Sequence, residues 1–229
     1  MLLSMSQETQ YWYLRNHKLF SVLSNMQIEE LCIMTKYKKA GKGEIIYFSE
    51  DPDQRIYILK KGNIKIVEAD NQGNEIIKEI LIPGDLLGEL TSSNESTTSE
   101  YAVALSKEVI ICTFRMADFE NLLEKNPTIA LSYSKLVGWR FKRVRINYSN
   151  LVFKDVKTRL RQFFRDWANR EGKNIDGHVH LDNYLTHQDI AGLVCSTRQT
   201  VTQLMNDLEA EKLIRYSRKE IIIDDINKL

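Results

Sequence analysis

The sequence predicts an α+β chain in three parts. Residues 1–126 read as a β-roll (a small barrel or jelly roll), 127–153 as one long helix with a hinge, and 154–229 as a winged helix-turn-helix domain. Three observations predict it. Six of the ten glycines fall from Gly41 to Gly88, among short β-type runs. An apolar seam about 25 residues long, longer than an ordinary globular helix, follows Asn126-Pro127. The last third orders a short helix, a tight turn, a longer helix and a β-hairpin.

Bulk composition narrows the class. A chain of 229 residues can form one large or two smaller cores, and its 43% apolar and 28% charged content is that of a soluble globular protein. A net charge of +1 argues neither for nor against nucleic acid. The start, MLLSMSQETQ, lacks a basic-then-apolar secretory pattern, and no apolar run is long enough to cross a bilayer, so the expectation is a cytoplasmic protein with no membrane partner. Cys32, Cys112 and Cys195 are far apart and odd in number, with no Cys-x-x-Cys pair, so neither a metal site nor a disulfide framework is expected.

The elements follow in order. An amphipathic helix is expected near Ser24–Thr35, then strands at 44–48, 55–62, 63–69, 75–82 and 108–114, with corners at "EDPD", "DNQGN" and "PGD". A short helix is expected at Met116–Glu124. Asn126-Pro127 suits a helix start, because proline is tolerated in the first turn, and no proline follows it. Along this helix Tyr133, Val137, Phe141, Val144 and Tyr148 recur every three to four residues. That seam is too long for a small barrel to cover, so these five are assigned to self-association as a homodimer, with packing inside one chain as the alternative. Arg140, Lys142, Arg143 and Arg145 read as its solvated face. A helix with Val156, Leu160, Phe163, Phe164 and Trp167 on one side ends at Gly172, and a short β pair includes "HVHL".

The chemistry concentrates in "LTHQDIAGLVCSTRQTVTQLMNDLEAEKLI". Thr186 is a candidate N-cap with Asp189 three residues on, and a helix over 187–193 follows. In the next helix Val201, Leu204, Leu208 and Leu213 face inward, leaving Thr197, Arg198, Gln199, Thr202, Gln203 and Asn206 outward. A merely solvated face is usually filled with Glu and Lys, whereas Arg and Gln fork onto guanine and adenine edges in the major groove. A helical hairpin used for packing alone is the competing reading. "RYSRKEIIIDD" supplies a hairpin turning at Ser217–Glu220.

These residues resemble the helix-turn-helix of the Crp/Fnr family of bacterial transcription regulators. Its pattern is matched at Thr186, Gln188, Asp189, Ile190, Ala191, Thr197, Arg198, Thr200, Val201, Leu208, Glu209, Leu213 and Ile214. "IPGDLLGEL" resembles the family's cyclic-nucleotide-type β-roll, and "NLVFKDVKTRL" its junction between dimer helix and DNA domain. The resemblance implies a non-enzymatic, homodimeric regulator that binds roughly palindromic double-stranded DNA and works with RNA polymerase. Carried over position by position, it implies DNA contacts from Thr186, His187, Gln188, Thr197, Arg198, Gln199, Thr202 and Gln203, with Arg198 on a guanine. Cys195 stands where the family's turn commonly has Gly.

The same resemblance implies a small-molecule site in the roll, at Gly88, Glu89, Leu90, Thr98 and Ser99. In members that bind cyclic AMP an Arg some ten residues after Gly-Glu-Leu clamps the phosphate. Here no Arg occurs between Arg55 and Arg115, and a bidentate Arg is hard to replace at a phosphate. Val144 and Arg145 occupy the places of the Thr-Ser pair that meets the adenine. The expected effector is therefore unidentified and outside the usual cyclic AMP mode, with a cyclic-nucleotide response as the alternative. No cofactor is called for: an iron–sulfur cluster lacks cysteines and haem lacks ligands in the roll. A cupin-type enzyme is disfavoured because residues 40–115 contain no His. A C-terminal domain that docks protein instead of DNA stays open.

Overall fold

A computed structural model describes residues 7–47, 55–69, 75–88 and 99–229. The chain divides into two compact units, 1–141 and 142–229. The first opens with α1 (Gln7–Arg15) and α2 (Asn25–Met34). Ser24 starts α2 through a reciprocal cap, its hydroxyl accepting from the Gln27 N–H while the Gln27 side chain accepts from the Ser24 N–H.

Strands β1 (Lys36–Gly41), β2 (Ile45–Tyr47), β3 (Arg55–Lys61), β4 (Ile64–Ala69), β5 (Glu75–Leu81), β6 (Leu86–Leu87), β7 (Ser99–Ala104) and β8 (Glu108–Arg115) follow. They form two antiparallel sheets, ordered β1-β8-β3-β6 and β2-β7-β4-β5. Tyr57, Leu59, Val109 and Ile111 of the first sheet share one core with Ile46, Ile64, Ile66 and Leu81 of the second. The other face of the first sheet, with Ile56, Ile58, Cys112 and Phe114, is covered by Leu14, Phe20, Ile28 and Leu31, and by Phe119 and Ile129 of the helices after β8. β3 and β8 are thus buried on both faces, which is why they read as continuous apolar runs instead of alternating.

Three strands, β1, the two-residue β6 and β7, and one helix were not expected. β1 reads KYKKAG and buries only Tyr37 and Ala40; its lysines suit an edge strand, which they protect from further pairing. β7 runs between β2 and β4 with Ala102 and Ala104 wholly buried, and alanine gives little strand signal. α1 was likewise unpredicted. The strand expected at 44–48 is present as β2, with Phe48 outside the described residues.

α3 (Met116–Lys125) leads into α4 (Pro127–Phe153). Ile129 and Tyr133 bury their side chains in the roll's helical cover, the Tyr133 ring centroid 5.3 Å from that of Phe119 in an edge-on arrangement. This corrects one sequence assignment: Tyr133 belongs to its own chain's core, because α3 turns back beneath the start of α4. Beyond it the seam is open, with Val137 47%, Phe141 64%, Val144 64% and Tyr148 69% exposed.

In the second unit Asp155 caps α5 (Val156–Glu171), accepting from the Thr158 N–H at 2.7 Å, and Gly172 ends it. β9 (Lys173–Ile175), β10 (His178–Asp182), α6 (His187–Leu193), α7 (Arg198–Ala210), β11 (Ile214–Tyr216) and β12 (Glu220–Ile223) complete it, the strands pairing in the order β11-β12-β10-β9. Leu160, Phe164, Ile190, Val201, Met205, Leu208, Ile214, Ile221 and Ile223 are essentially inaccessible, so one core holds the helices against the hairpin. Leu204, expected inward, is only partly buried, and Met205 takes that place.

Candidate nucleic-acid interface

The interface is built on two caps. Both the N–H and the hydroxyl of Thr186 donate to Asp189 Oδ2, at 2.9 and 2.6 Å, and the Asp189 N–H donates back to the Thr186 hydroxyl at 3.1 Å. Asp189 is buried, so this box both starts α6 and satisfies a carboxylate that burial would otherwise penalise. α6 ends in a Schellman motif: the Cys195 N–H bonds the Gly192 carbonyl and the Ser196 N–H the Ala191 carbonyl. Cys195 occupies the left-handed position at φ +51°, where glycine is usual. Arg159 braces the turn, its three guanidinium nitrogens donating to the carbonyls of Lys154, Val194 and Cys195 at 2.7, 3.0 and 3.1 Å.

Thr197 starts α7, its hydroxyl accepting from the Thr200 N–H at 3.1 Å. Val201, Met205 and Leu208 face the core, which turns Arg198, Gln199 and Gln203 to solvent. Thr197, Arg198, Gln199, Thr202 and Gln203 line one shallow open depression. The structure thus brings together five of the eight residues singled out from sequence, and places His187 beside them through a 2.9 Å hydrogen bond to the Thr202 hydroxyl. Thr186 and Gln188 are exposed on α6 and its cap.

These side chains are not equally available. The Thr197 hydroxyl is used as a cap, the Thr202 hydroxyl donates to the Arg198 carbonyl at 2.8 Å, and Gln203 Nε2 donates to Asp207 at 2.9 Å. Arg198 and Gln199 have no side-chain hydrogen bond or ion pair among the described residues. Burial, and secondly the Arg198 charge, hold the His187 imidazole below its ordinary pKa. The hairpin closes the site: the Tyr216 ring lies 5.7 Å from the His187 ring, and its hydroxyl donates to Asn206 at 2.7 Å. Sequence named His187 and Thr202 but could not show that they bond each other, since no local spacing relates residues 15 apart.

The roll is a less complete site. Gly88 has φ +103°, and a Cβ there would lie 2.6 Å from the Arg55 carbonyl oxygen, so the backbone itself demands glycine. Glu89, Leu90 and Thr98 lie outside the described residues, and Ser99 begins β7. Just before Gly88, Arg140 of α4 donates to the Leu86 carbonyl. His17 is buried and joins the chain between α1 and α2 to the β5–β6 turn: its Nδ1 accepts from the Leu19 N–H, so Nε2–H donates to the Gly84 carbonyl at 3.0 Å. Residues 56–114 contain no Arg at all, so no position between Arg55 and Arg115 supplies a guanidinium for a cyclic phosphate. Between Arg55 and Arg115 the roll therefore lacks the Arg on which the usual cyclic nucleotide mode depends. Among the described residues no cluster could hold a metal ion, and no helix is long and apolar enough to cross a membrane.

Comparison with known proteins agrees with this geometry. Residues 37–126 match the cyclic nucleotide-binding domain model and residues 158–229 the Crp-like helix-turn-helix domain model. The CRP-like cAMP-activated global transcriptional regulator of Mycobacterium tuberculosis is 26% identical over 196 residues, 82% of this chain and 84% of that one. The global nitrogen regulator of a Nostoc species is 28% identical over 184 residues, 80% of this chain and 82% of that one. In solved structures, a variant of CooA from Carboxydothermus hydrogenoformans has the same fold, with a TM-score of 0.73 at 21% identity over 100% of this chain and 95% of that one. Roll, long helix and helix-turn-helix together define a DNA-binding transcription regulator. The chain belongs to the Crp/Fnr family of such regulators, which the two domain models and the named relatives share.

Proposed function

We propose that the chain acts as a homodimer on a roughly palindromic DNA site, with α7 of each protomer in the major groove. Half-sites would then lie one helical turn apart, about 10 base pairs. The observation that carries the reading is the pair Arg198 and Gln199. Both stand exposed at the N-terminal turn of α7, with no side-chain hydrogen bond or ion pair among the described residues. An Arg placed so suits the O6 and N7 acceptors of guanine, and Gln199 suits adenine. Thr186, His187, Gln188, Thr197, Thr202 and Gln203 complete the contact surface, the cap residues toward phosphates. The exposed seam of Val137, Phe141, Val144 and Tyr148 supports self-association, since burying it in a second copy removes a large apolar face from water.

The reading divides the chain into a sensor (1–126), a dimer helix with hinge (127–153) and a DNA domain (154–229). The sensor takes a small effector near Gly88–Leu90 and Thr98–Ser99, held by groups other than a roll Arg. RNA polymerase is the protein partner and the cytoplasm the location, as the relatives named global transcriptional regulators support. The test is selection of bound duplexes from a random pool, with and without cell extract as a source of effector. A twofold-symmetric motif is expected, and Arg198→Ala should weaken binding to it by about 1–3 kcal/mol and relax preference at one base pair. Absence of any enriched motif under both conditions, or equal affinity of the variant, overturns the reading.

A further inference from the structure

We propose that Thr202 reads the 5-methyl group of thymine and donates no hydrogen bond to a base edge, and that His187 is the residue holding it in that pose. The inference rests on the reading that α7 enters the major groove. A threonine hydroxyl has one proton and two lone pairs. The Thr202 proton is spent on the Arg198 carbonyl at 2.8 Å, so the 2.9 Å bond to His187 has the ring Nδ1–H as donor. Donation is exhausted and one of two acceptor positions is filled. The hydroxyl lies between the backbone of α7 and a ring on α6, which leaves one acceptor position and the methyl group unengaged. Thr202 nevertheless lines the same depression as Arg198 and Gln199. A methyl offered there matches the apolar feature that only thymine presents in the major groove.

The bracket is built to last. The imidazole is the first residue of α6, directly after the Thr186 cap, and Tyr216 of the hairpin lies against it with its own hydroxyl held by Asn206. Because Nδ1–H is the donor, the bond survives in both the neutral and the protonated ring. Arg198 is the charged group beside it.

The experiment replaces each thymine of the selected duplex in turn by deoxyuridine, which removes only the 5-methyl. Wild-type protein is expected to lose about fourfold in affinity per half-site at one position, the effect of one buried methyl. Thr202→Ser keeps the hydroxyl and the His187 bond and drops the methyl, so it should bind thymine and uracil duplexes equally. His187→Ala should lower the discrimination while Arg198 keeps its guanine preference. A selected site without thymine at a contacted position, a wild type indifferent to every replacement, or discrimination retained by Thr202→Ser overturns the proposal and leaves DNA reading by Arg198 intact. Failure of the pool to yield any duplex overturns both.

Discussion

Replacing Cys195 by glycine should stabilise the protein. Cys195 holds φ +51° because the Schellman motif at the end of α6 requires a left-handed residue there, and the two backbone bonds that define the motif are both made. A side chain with a Cβ carries a cost of about 1–2 kcal/mol in that conformation. Glycine removes it and gives back about 0.5–1 kcal/mol through its greater freedom in the unfolded chain. The Cys195 side chain is exposed, and Arg159 bonds its backbone carbonyl, so the substitution sacrifices neither packing nor bracing. The net expectation is a gain of about 0.5–1 kcal/mol, or roughly 2–8 °C in Tm if the C-terminal unit melts as a small domain. The assay is thermal and urea unfolding of wild type, Cys195→Gly and Cys195→Ala. The alanine variant keeps the Cβ and should not gain, so it separates backbone relief from loss of a thiol. A glycine variant less stable than wild type, or an alanine variant equally stabilised, refutes the reasoning.

Phe141→Asp together with Val144→Asp should convert a dimer into a monomer in sedimentation experiments, since charge on a seam buried between copies is strongly unfavourable; an unchanged mass rejects that seam. His17 gives a pH signature. Burial, and secondly the Lys60 charge, push its pKa down to about 4 in the folded state from an ordinary 6.5. The unfolded chain therefore binds the proton first, and the stability contributed by neutral His17 is present above pH 6.5 and lost as pH falls toward 4. Between pH 7 and pH 5 the wild type should lose about 2 kcal/mol more than His17→Asn in urea titrations, and parallel losses would reject the assignment.

The family was legible in the sequence because its signals are local. The Thr186–Asp189 box, the Thr197 cap, the Asp155 cap and the stop at Gly172 join residues three or four apart, and such bonds are written in residue order. Of these, the Thr186 cap and the Gly172 stop were read from the sequence and bounded α6 and α5, whereas the Thr197 and Asp155 caps emerged with the structure. Strands β3 and β8 were visible because burial on both faces makes their runs continuously apolar. Arg198 and Gln199 stood out as residue types unlike an ordinary solvated face.

The tertiary structure decided what depends on a distant partner. β1 and β7 exist because neighbouring strands pair with them, although lysine and alanine argue weakly for any strand. Tyr133 is core and Phe141 surface, though the helical period treats them alike, because α3 covers only the start of α4. The availability of the outward residues on α7 was equally hidden. Thr202 is tied to His187, 15 residues earlier, while Arg198 and Gln199 make no side-chain hydrogen bond among the described residues. Hydrogen bonds within one turn of chain follow from residue order, whereas burial and cross-element bonds arise only when separate elements meet.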